Sequence, residues 1–160
     1  MDQGYDTDLA LWAEAQARAL RDAGQAGTNL PVDWENVAEE IEALGKSQAR
    51  ELASRIRIIL VHLLKLQCSP AIGPRAGWRE TIHEQRSEIA ALLADSPSLR
   101  PNIPGVIDSA LVKARRAAVL ALAGYGEPML GEPGGLSYTA EQVLGDWFPD
   151  EPGSARPALA

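Results

Sequence analysis

Apolar residues recur at helical spacing from Val37 to Leu66, and this pattern defines the longest element of the chain. Apart from one glutamine, apolar side chains occupy the register 37, 41, 44, 48, 52, 56, 59, 63 and 66. Asp33 suits the N-cap of this helix. The register passes Gly45 without a change of phase. We therefore predict one helix from Asp33 to Gln67, about 50 Å long at 1.5 Å per residue, with Gly45 as a point where it can kink; two helices split at Gly45 are the alternative.

Three further helices follow from the same kind of pattern. The first is predicted from the N-cap Asp6 to Ala23, before Gly24. The third is predicted over 75–94, with Trp78, Ile82, Ile89 and Leu92 facing inward. The fourth begins near Pro104, a residue suited to a first helical turn, and ends at Gly124. Its inward positions are Ile107, Ala110, Leu111, Ala114, Ala118 and Leu122.

The C-terminal part of the chain combines a loop with a short helix. Glycine and proline dominate 124–136, which predicts a loop. Thr139 and Gln142 form a capping-box pair that begins a short helix, and we expect Trp147 and Phe148 beyond it to dock on the remaining helices. The pattern predicts an all-α helical bundle of about four main helices, with one long central helix. Residues 1–149 are expected to form a single domain and 150–160 a disordered tail.

Composition and charge restrict the classes of function. The chain of 160 residues is 46% hydrophobic and has a net charge of −7, which argues against nucleic acid as a partner. Its single cysteine, Cys68, excludes an intramolecular disulfide and favours a reducing cytoplasm. The N-terminus is acidic and has no long apolar run, so we expect no secretory signal. Charged residues interrupt the longest apolar run, so no membrane partner is expected.

Several segments together resemble a known family. YDTDLALWAEAQARAL, DWENVAEEIEALG, HLLKLQ, WRETIHEQRSEI, LLADSPSLR and TAEQVLGDWFP occur in this order between Tyr5 and Pro149. As a set they resemble a bacterial family known as domain of unknown function twenty-nine. The resemblance implies an α-helical bundle of bacterial origin and brings no established activity. Leu66 stands where that family usually has tryptophan, and the Gly-Pro-rich segment 124–135 is peculiar to this chain.

The polar residues within the apolar runs define a candidate buried polar site. His62 lies among isoleucines and leucines, so we expect it to be buried and bonded to an acid or a carbonyl. Lys65 is expected to extend from the same run to solvent, or to pair with an acid such as Glu40 or Glu84 if it is held inside. Glu40 borders the apolar register and is predicted to turn inward. It would share a site with His62 only if the chain reversed at Gly45.

The third helix contributes the remaining candidates. Gln85 lies on the apolar stripe, and Arg79 and Arg86 flank it one heptad apart. In one interpretation the arginine stems cover the core and pair with acids. In the other, these three side chains converge with His62 in an anion pocket.

No motif points to a cofactor or to a specific reaction. The two histidines exclude a three-histidine zinc site, and Glu80 with His83 is a single unrepeated Glu-x-x-His pair, so we predict no metal. Two classes of function remain. One is a non-catalytic module acting by protein–protein contact, including a homodimer through the long or the Ala-rich fourth helix. The other is a small-molecule or anion-binding bundle, which includes an enzyme, built around the candidate polar site.

Overall fold

The computed structural model describes residues 4–126 and 128–152. Within those ranges the chain forms five α-helices and no strand. Two 3₁₀ turns, Pro97–Asn102 and Pro133–Gly135, precede α4 and α5. The helices are α1 (Leu9–Gln25), α2 (Trp34–Cys68), α3 (Arg75–Asp95), α4 (Ile103–Ala123) and α5 (Ala140–Leu144). The predicted all-α class, with four main helices, one of them long, and a short C-terminal helix, is confirmed.

The long helix α2 runs unbroken through Gly45 for 35 residues. Asp33 caps it by accepting a hydrogen bond from the Asn36 N–H at 3.3 Å. A Cβ on Gly45 would lie 3.1 Å from the Ala10 carbonyl oxygen of α1, so glycine allows close approach of the two helices there. The prediction of one helix is confirmed, and the alternative of two helices split at Gly45 is wrong.

The cap of α1 differs from the prediction. Asp8, not Asp6, is the N-cap, and its carboxylate accepts from the Leu11 N–H at 2.9 Å. Asp6 lies in the preceding turn. The sequence did not distinguish the two positions, because an aspartate at either one suits an N-cap. At α5 the predicted capping box is present, because Thr139 accepts from the Gln142 N–H and Gln142 accepts from the Thr139 N–H.

The described residues cluster into two compact units. The N-terminal unit contains the described part of 1–52 together with Ile89–Asn102, and the C-terminal unit contains 53–88 together with the described residues from Ile103 onward. Helices α2 and α3 each contribute to both units. The single domain over 1–149 remains a prediction.

The N-terminal unit has a core of small and branched residues. Its α1 contributes Ala13 and Ala17, and α2 contributes Ala38 and Leu52. The buried position near the start of α2 is Ala38, which has no exposed surface, whereas Val37 is 39% exposed. The inward position predicted at Val37 is therefore wrong, because the small Ala38, one residue further along α2, is buried instead.

The C-terminal unit holds the larger apolar core. Trp78 and Ile82 of α3 are buried there as predicted, and every position predicted to face inward on α4 is buried. Most of the predicted tail, 153–160, lies outside the described residues; Asp150–Pro152 are described. The fully buried large side chains of this unit are Ile56, Ile59, Leu60, Leu63, Leu64, Leu66, Cys68, Ile82, Ile107 and Val143.

Candidate functional site

Arg86 of α3 is the polar centre of the C-terminal unit. Its side chain is buried, and its Nε donates to the Val143 carbonyl at 2.9 Å. Its Nη2 donates to the carbonyls of Gln142, at 2.9 Å, and Trp147, at 2.7 Å. Burial lowers the pKa of Arg86, and the charge of Asp146 opposes that shift. The planar guanidinium thus holds the C-terminal end of α5, where carbonyls lack partners within the helix.

Phe148 packs against the same arginine and its neighbours on α3. The Cζ atoms of Arg86 and Arg79 lie 4.8 and 5.5 Å from the centroid of its ring. The His83 ring meets it edge-on, with the centroids 5.1 Å apart. A cation over an aromatic face is attracted by the ring quadrupole. The expectation that Phe148 docks is confirmed, and Trp147 lies near Tyr138 with the ring centroids 6.2 Å apart.

Two arginines in the first turns of α3 meet the carboxylate of Glu151. Arg75 Nε lies 2.7 Å from Glu151 Oε2, and Arg79 Nη2 donates to Glu151 Oε1. The hydrogen bond from Arg79, more than any other contact, lowers the pKa of Glu151. Arg75 is almost completely buried, with 4% of its side chain exposed. Glu151 falls in the segment predicted to be a disordered tail, so the sequence analysis did not predict this contact.

His62 and Lys65 have partners of their own within the C-terminal unit. The half-buried His62 bonds through Nδ1 to the carbonyl oxygen of Ile58, at 2.8 Å. The partner is therefore a carbonyl one turn back on α2 itself. Burial lowers the pKa of His62, and the charge of Lys65 adds to that effect. The Lys65 ammonium lies 5.7 Å from the centroid of the Trp78 ring, and burial lowers its pKa.

The remaining candidates do not complete the predicted anion pocket. Gln85 is half-buried and accepts from Arg55 Nη1 at 3.1 Å. Glu40 is exposed, so its predicted inward orientation is wrong. It lies in the N-terminal unit, and α2 does not reverse at Gly45. The structure brings Arg79 and Arg86 together at Phe148, while His62 and Gln85 bond to other groups.

Sequence reasoning missed Arg75 and the cluster around Tyr138. The sequence did carry one signal for the arginine cluster. On a helix with 3.6 residues per turn, one face about 40° wide contains Arg75, Arg79 and Arg86. Tyr138 is buried, and its hydroxyl donates to Gln67 Oε1. Arg115 donates to the Leu136 carbonyl in the same unit. These contacts hold 136–138 in place and have no signature in the local sequence.

Cys68 is buried beside this cluster and has no features of a reactive thiol. Burial raises its pKa, so the thiol form is favoured. A thiol that stays protonated is a poor nucleophile. Its backbone carbonyl accepts from the Leu130 N–H at 2.8 Å, which anchors the Gly-Pro-rich segment. The role of Cys68 in the described structure is packing.

The N-terminal unit has an open groove of about 470 Å³ along α1 and α2. Its one carboxylate from α2, Glu42, is already neutralised by Arg21 at 2.8 Å and Lys46 at 3.2 Å. The groove is lined by Ala10, Leu11, Glu14, Glu42, Gly45, Lys46, Ala49, Ser98, Leu99 and Asn102.

Two further features are absent from the part of the chain that the structure describes, residues 4–126 and 128–152. No group of three or more metal-ligating side chains is positioned there to hold an ion. Over the same residues, no helix has the length and apolar character needed to cross a bilayer.

The helices and polar contacts define an all-α protein with structural arginine clusters. A solved structure of an alpha-helical protein of unknown function from Rhodospirillum rubrum is similar to it, with 28% sequence identity and a TM-score of 0.69. That likeness covers 93% of this chain and 94% of the other. The chain belongs to the family described as domain of unknown function DUF29, whose model matches residues 5–148. Among curated proteins, none matches the chain.

Proposed function

We propose that this protein is a non-catalytic interaction module of the bacterial cytoplasm that pairs with a second copy of itself through α4. The observation that carries the proposal is an exposed apolar stripe on α4 with opposite charges placed symmetrically about its centre. Val112 is 67% exposed and Val119 38% exposed, two helical turns apart on one face. Exposed apolar side chains grouped on one face favour association.

The charges on this face fit an antiparallel pair of α4 helices. Asp108 precedes Val112 by four residues, and Arg116 follows it by four. In an antiparallel pair with its two-fold axis at Val112, Asp108 faces the Arg116 of the second copy, and the contact occurs twice. A parallel pair would place like charges together, which is unfavourable. Neither side chain forms an ion pair with another described residue of its own chain.

Gly105 supports the same register. It lies seven residues before Val112, so the axis at Val112 places it opposite the Val119 of the second copy. A Cβ on Gly105 would meet nothing within 4 Å, so packing within the chain does not require glycine there. Glycine in a helix costs up to about 1 kcal/mol relative to alanine. A small residue opposite valine lets two helices approach closely.

The decisive experiment is a charge exchange followed by sedimentation velocity. A single helix about 31 Å long makes a small interface, so we expect a dissociation constant on the order of micromolar or weaker. Measurements should therefore span about 5 to about 500 µM. Asp108→Arg or Arg116→Asp alone should weaken the dimer about tenfold or more, because like charges then face each other. The double variant Asp108→Arg/Arg116→Asp should restore it.

Lys113→Asp is the matched control, because it makes the same change of charge on α4 about 100° away from Val112. It should leave the dimer unchanged. A wild-type protein that stays monomeric over the whole concentration range would contradict the proposal. A dimer that tolerates both single exchanges would exclude the α4 face as the interface.

A further inference from the structure

The contact between Glu151 and two arginines of α3 leaves buried donors unsatisfied. Arg75 Nη1 donates to the Ser69 carbonyl at 3.4 Å. Its Nη2 is buried with no hydrogen-bond partner among the described residues. Its Nε is close to Glu151 without the alignment of a hydrogen bond. The carboxylate therefore satisfies the hydrogen-bonding groups of Arg75 only in part. Buried donors that lack a partner cost free energy.

The geometry of the donors suits an anion with more oxygens than a carboxylate. Nε–H and Nη2 lie on the same edge of the planar Arg75 guanidinium, and Nε lies 2.7 Å from Glu151 Oε2. The two oxygens of Glu151 are divided between Arg75 and Arg79. A tetrahedral oxyanion would offer two oxygens to the Arg75 edge and a third to Arg79. Fork-shaped guanidinium groups bind phosphate in this bidentate manner.

The position in the fold adds a favourable potential. Helix α3 begins at Arg75, so the site lies at the positive end of the dipole of a 21-residue helix. Arg79 is 34% exposed, which keeps the site open to solvent. The side chain of Glu151 is 47% exposed, so the carboxylate lies at the solvent-facing side of this contact. Phe148 and Arg86 hold the preceding segment independently of it.

We propose that Arg75 and Arg79 form a binding site for a soluble phosphate-type oxyanion, either inorganic phosphate or a phosphomonoester. Glu151 occupies the site in the free protein as an intramolecular competitor. A ligand must therefore displace the carboxylate, and the measured affinity is the intrinsic affinity multiplied by the fraction of molecules in which Glu151 has left the site. The proposal is independent of the α4 face and does not require self-association.

Isothermal titration with inorganic phosphate at constant ionic strength tests the site. Glu151→Gln removes the competing charge and should bind phosphate about tenfold more tightly than the wild type. Arg79→Met in the Glu151→Gln background should abolish the added affinity. Arg57→Met is the matched control, because Arg57 is an exposed arginine of α2, and it should leave binding unchanged. Arg75→Lys keeps the buried charge but removes the fork, and should also weaken binding.

Two results would overturn the proposal. One is that Glu151→Gln binds phosphate no more tightly than the wild type; the other is that Arg79→Met has no effect. The variants must remain helical by circular dichroism, and Glu151→Gln should do so because glutamine keeps the size of a side chain that is about half exposed. Phosphatidylcholine vesicles containing phosphatidic acid distinguish a lipid source of the same group. Recruitment of Glu151→Gln to these vesicles, without binding of free phosphate, would contradict a soluble ligand.

Discussion

The carboxylate of Asp8 accepts hydrogen bonds from both the backbone N–H and the hydroxyl of Ser98, at 2.6 and 2.8 Å. The same carboxylate caps α1 through the Leu11 N–H. One side chain thus fixes the start of α1 and ties it to the 3₁₀ turn that precedes α4. Burial raises the pKa of Asp8, but its hydrogen bonds with Leu11 and Ser98 outweigh this and lower the pKa overall.

Replacing Asp8 should destabilise the N-terminal unit. We expect Asp8→Ala to lower the free energy of unfolding by about 2 kcal/mol, since it removes an N-cap and two charge-assisted hydrogen bonds. Asp6→Ala is the matched control and should change it by less than about 0.5 kcal/mol. Urea unfolding followed by circular dichroism measures both. Equal effects of the two variants would mean that Asp8 is not the cap in solution.

Gly24 and Gly77 should respond to alanine with opposite signs. A Cβ on Gly24 would lie 2.7 Å from the Cβ of Trp34, so Gly24→Ala should destabilise the protein by about 1–3 kcal/mol through overpacking. A Cβ on Gly77 would meet nothing within 4 Å, so Gly77→Ala should stabilise α3 by up to about 1 kcal/mol. The urea unfolding midpoints of the two variants, compared with that of the wild type, test both predictions. A stabilising Gly24→Ala would show that α1 and Trp34 are not in close contact.

Arg86 should be essential for docking of the C-terminal segment. Arg86→Met leaves three carbonyl oxygens without their donor and removes the cation from Phe148, so we expect a loss of about 3 kcal/mol. Arg86→Lys should recover less than half of this, because an ammonium lacks the planar fork. Hydrogen exchange of the amides between Val143 and Trp147 should accelerate in both variants. Unchanged exchange there would contradict the role assigned to Arg86.

His62 should make stability depend on pH in a defined direction. Burial lowers its pKa in the folded state below the usual 6.5; the hydrogen bond with Ile58 opposes this shift and the charge of Lys65 adds to it. The unfolded chain therefore takes up the proton first as pH falls, so the contribution of His62 is complete above 6.5 and is lost as pH falls through the folded pKa. The urea concentration at the unfolding midpoint should therefore decrease as the pH falls from about 7.5 to about 5.5.

His62→Leu should reduce that slope, because leucine takes up no proton. His83→Gln serves as the control, since His83 is exposed, and it should retain most of the slope. The same series measures the effect of His62→Leu at neutral pH. A slope unchanged in His62→Leu would assign the pH dependence to other groups.

The sequence predicted best where one local rule governs the structure. The Thr139–Gln142 capping box involves neighbouring backbone groups, and the apolar spacing of α4 selects its inward face, so both were predictable. The errors at Asp6 and Glu40 have a different origin. Two aspartates before α1 satisfy the same capping rule, and the choice depends on Ser98, which is 90 residues away from Asp8 in the sequence. Likewise Glu40 is exposed because Ala38 packs inward.

The sequence alone determined the all-α class, the unbroken helix α2 and the apolar faces, because helix formation and amphipathic burial follow from residue type and spacing. Only the tertiary structure decided which polar side chains meet. Arg75, Arg79 and Glu151 are brought together by the path of the chain after α5, and His62 binds its own helix rather than those arginines. Contacts between charged and aromatic groups depend on distance and orientation in three dimensions, and the periodicity of a sequence carries neither.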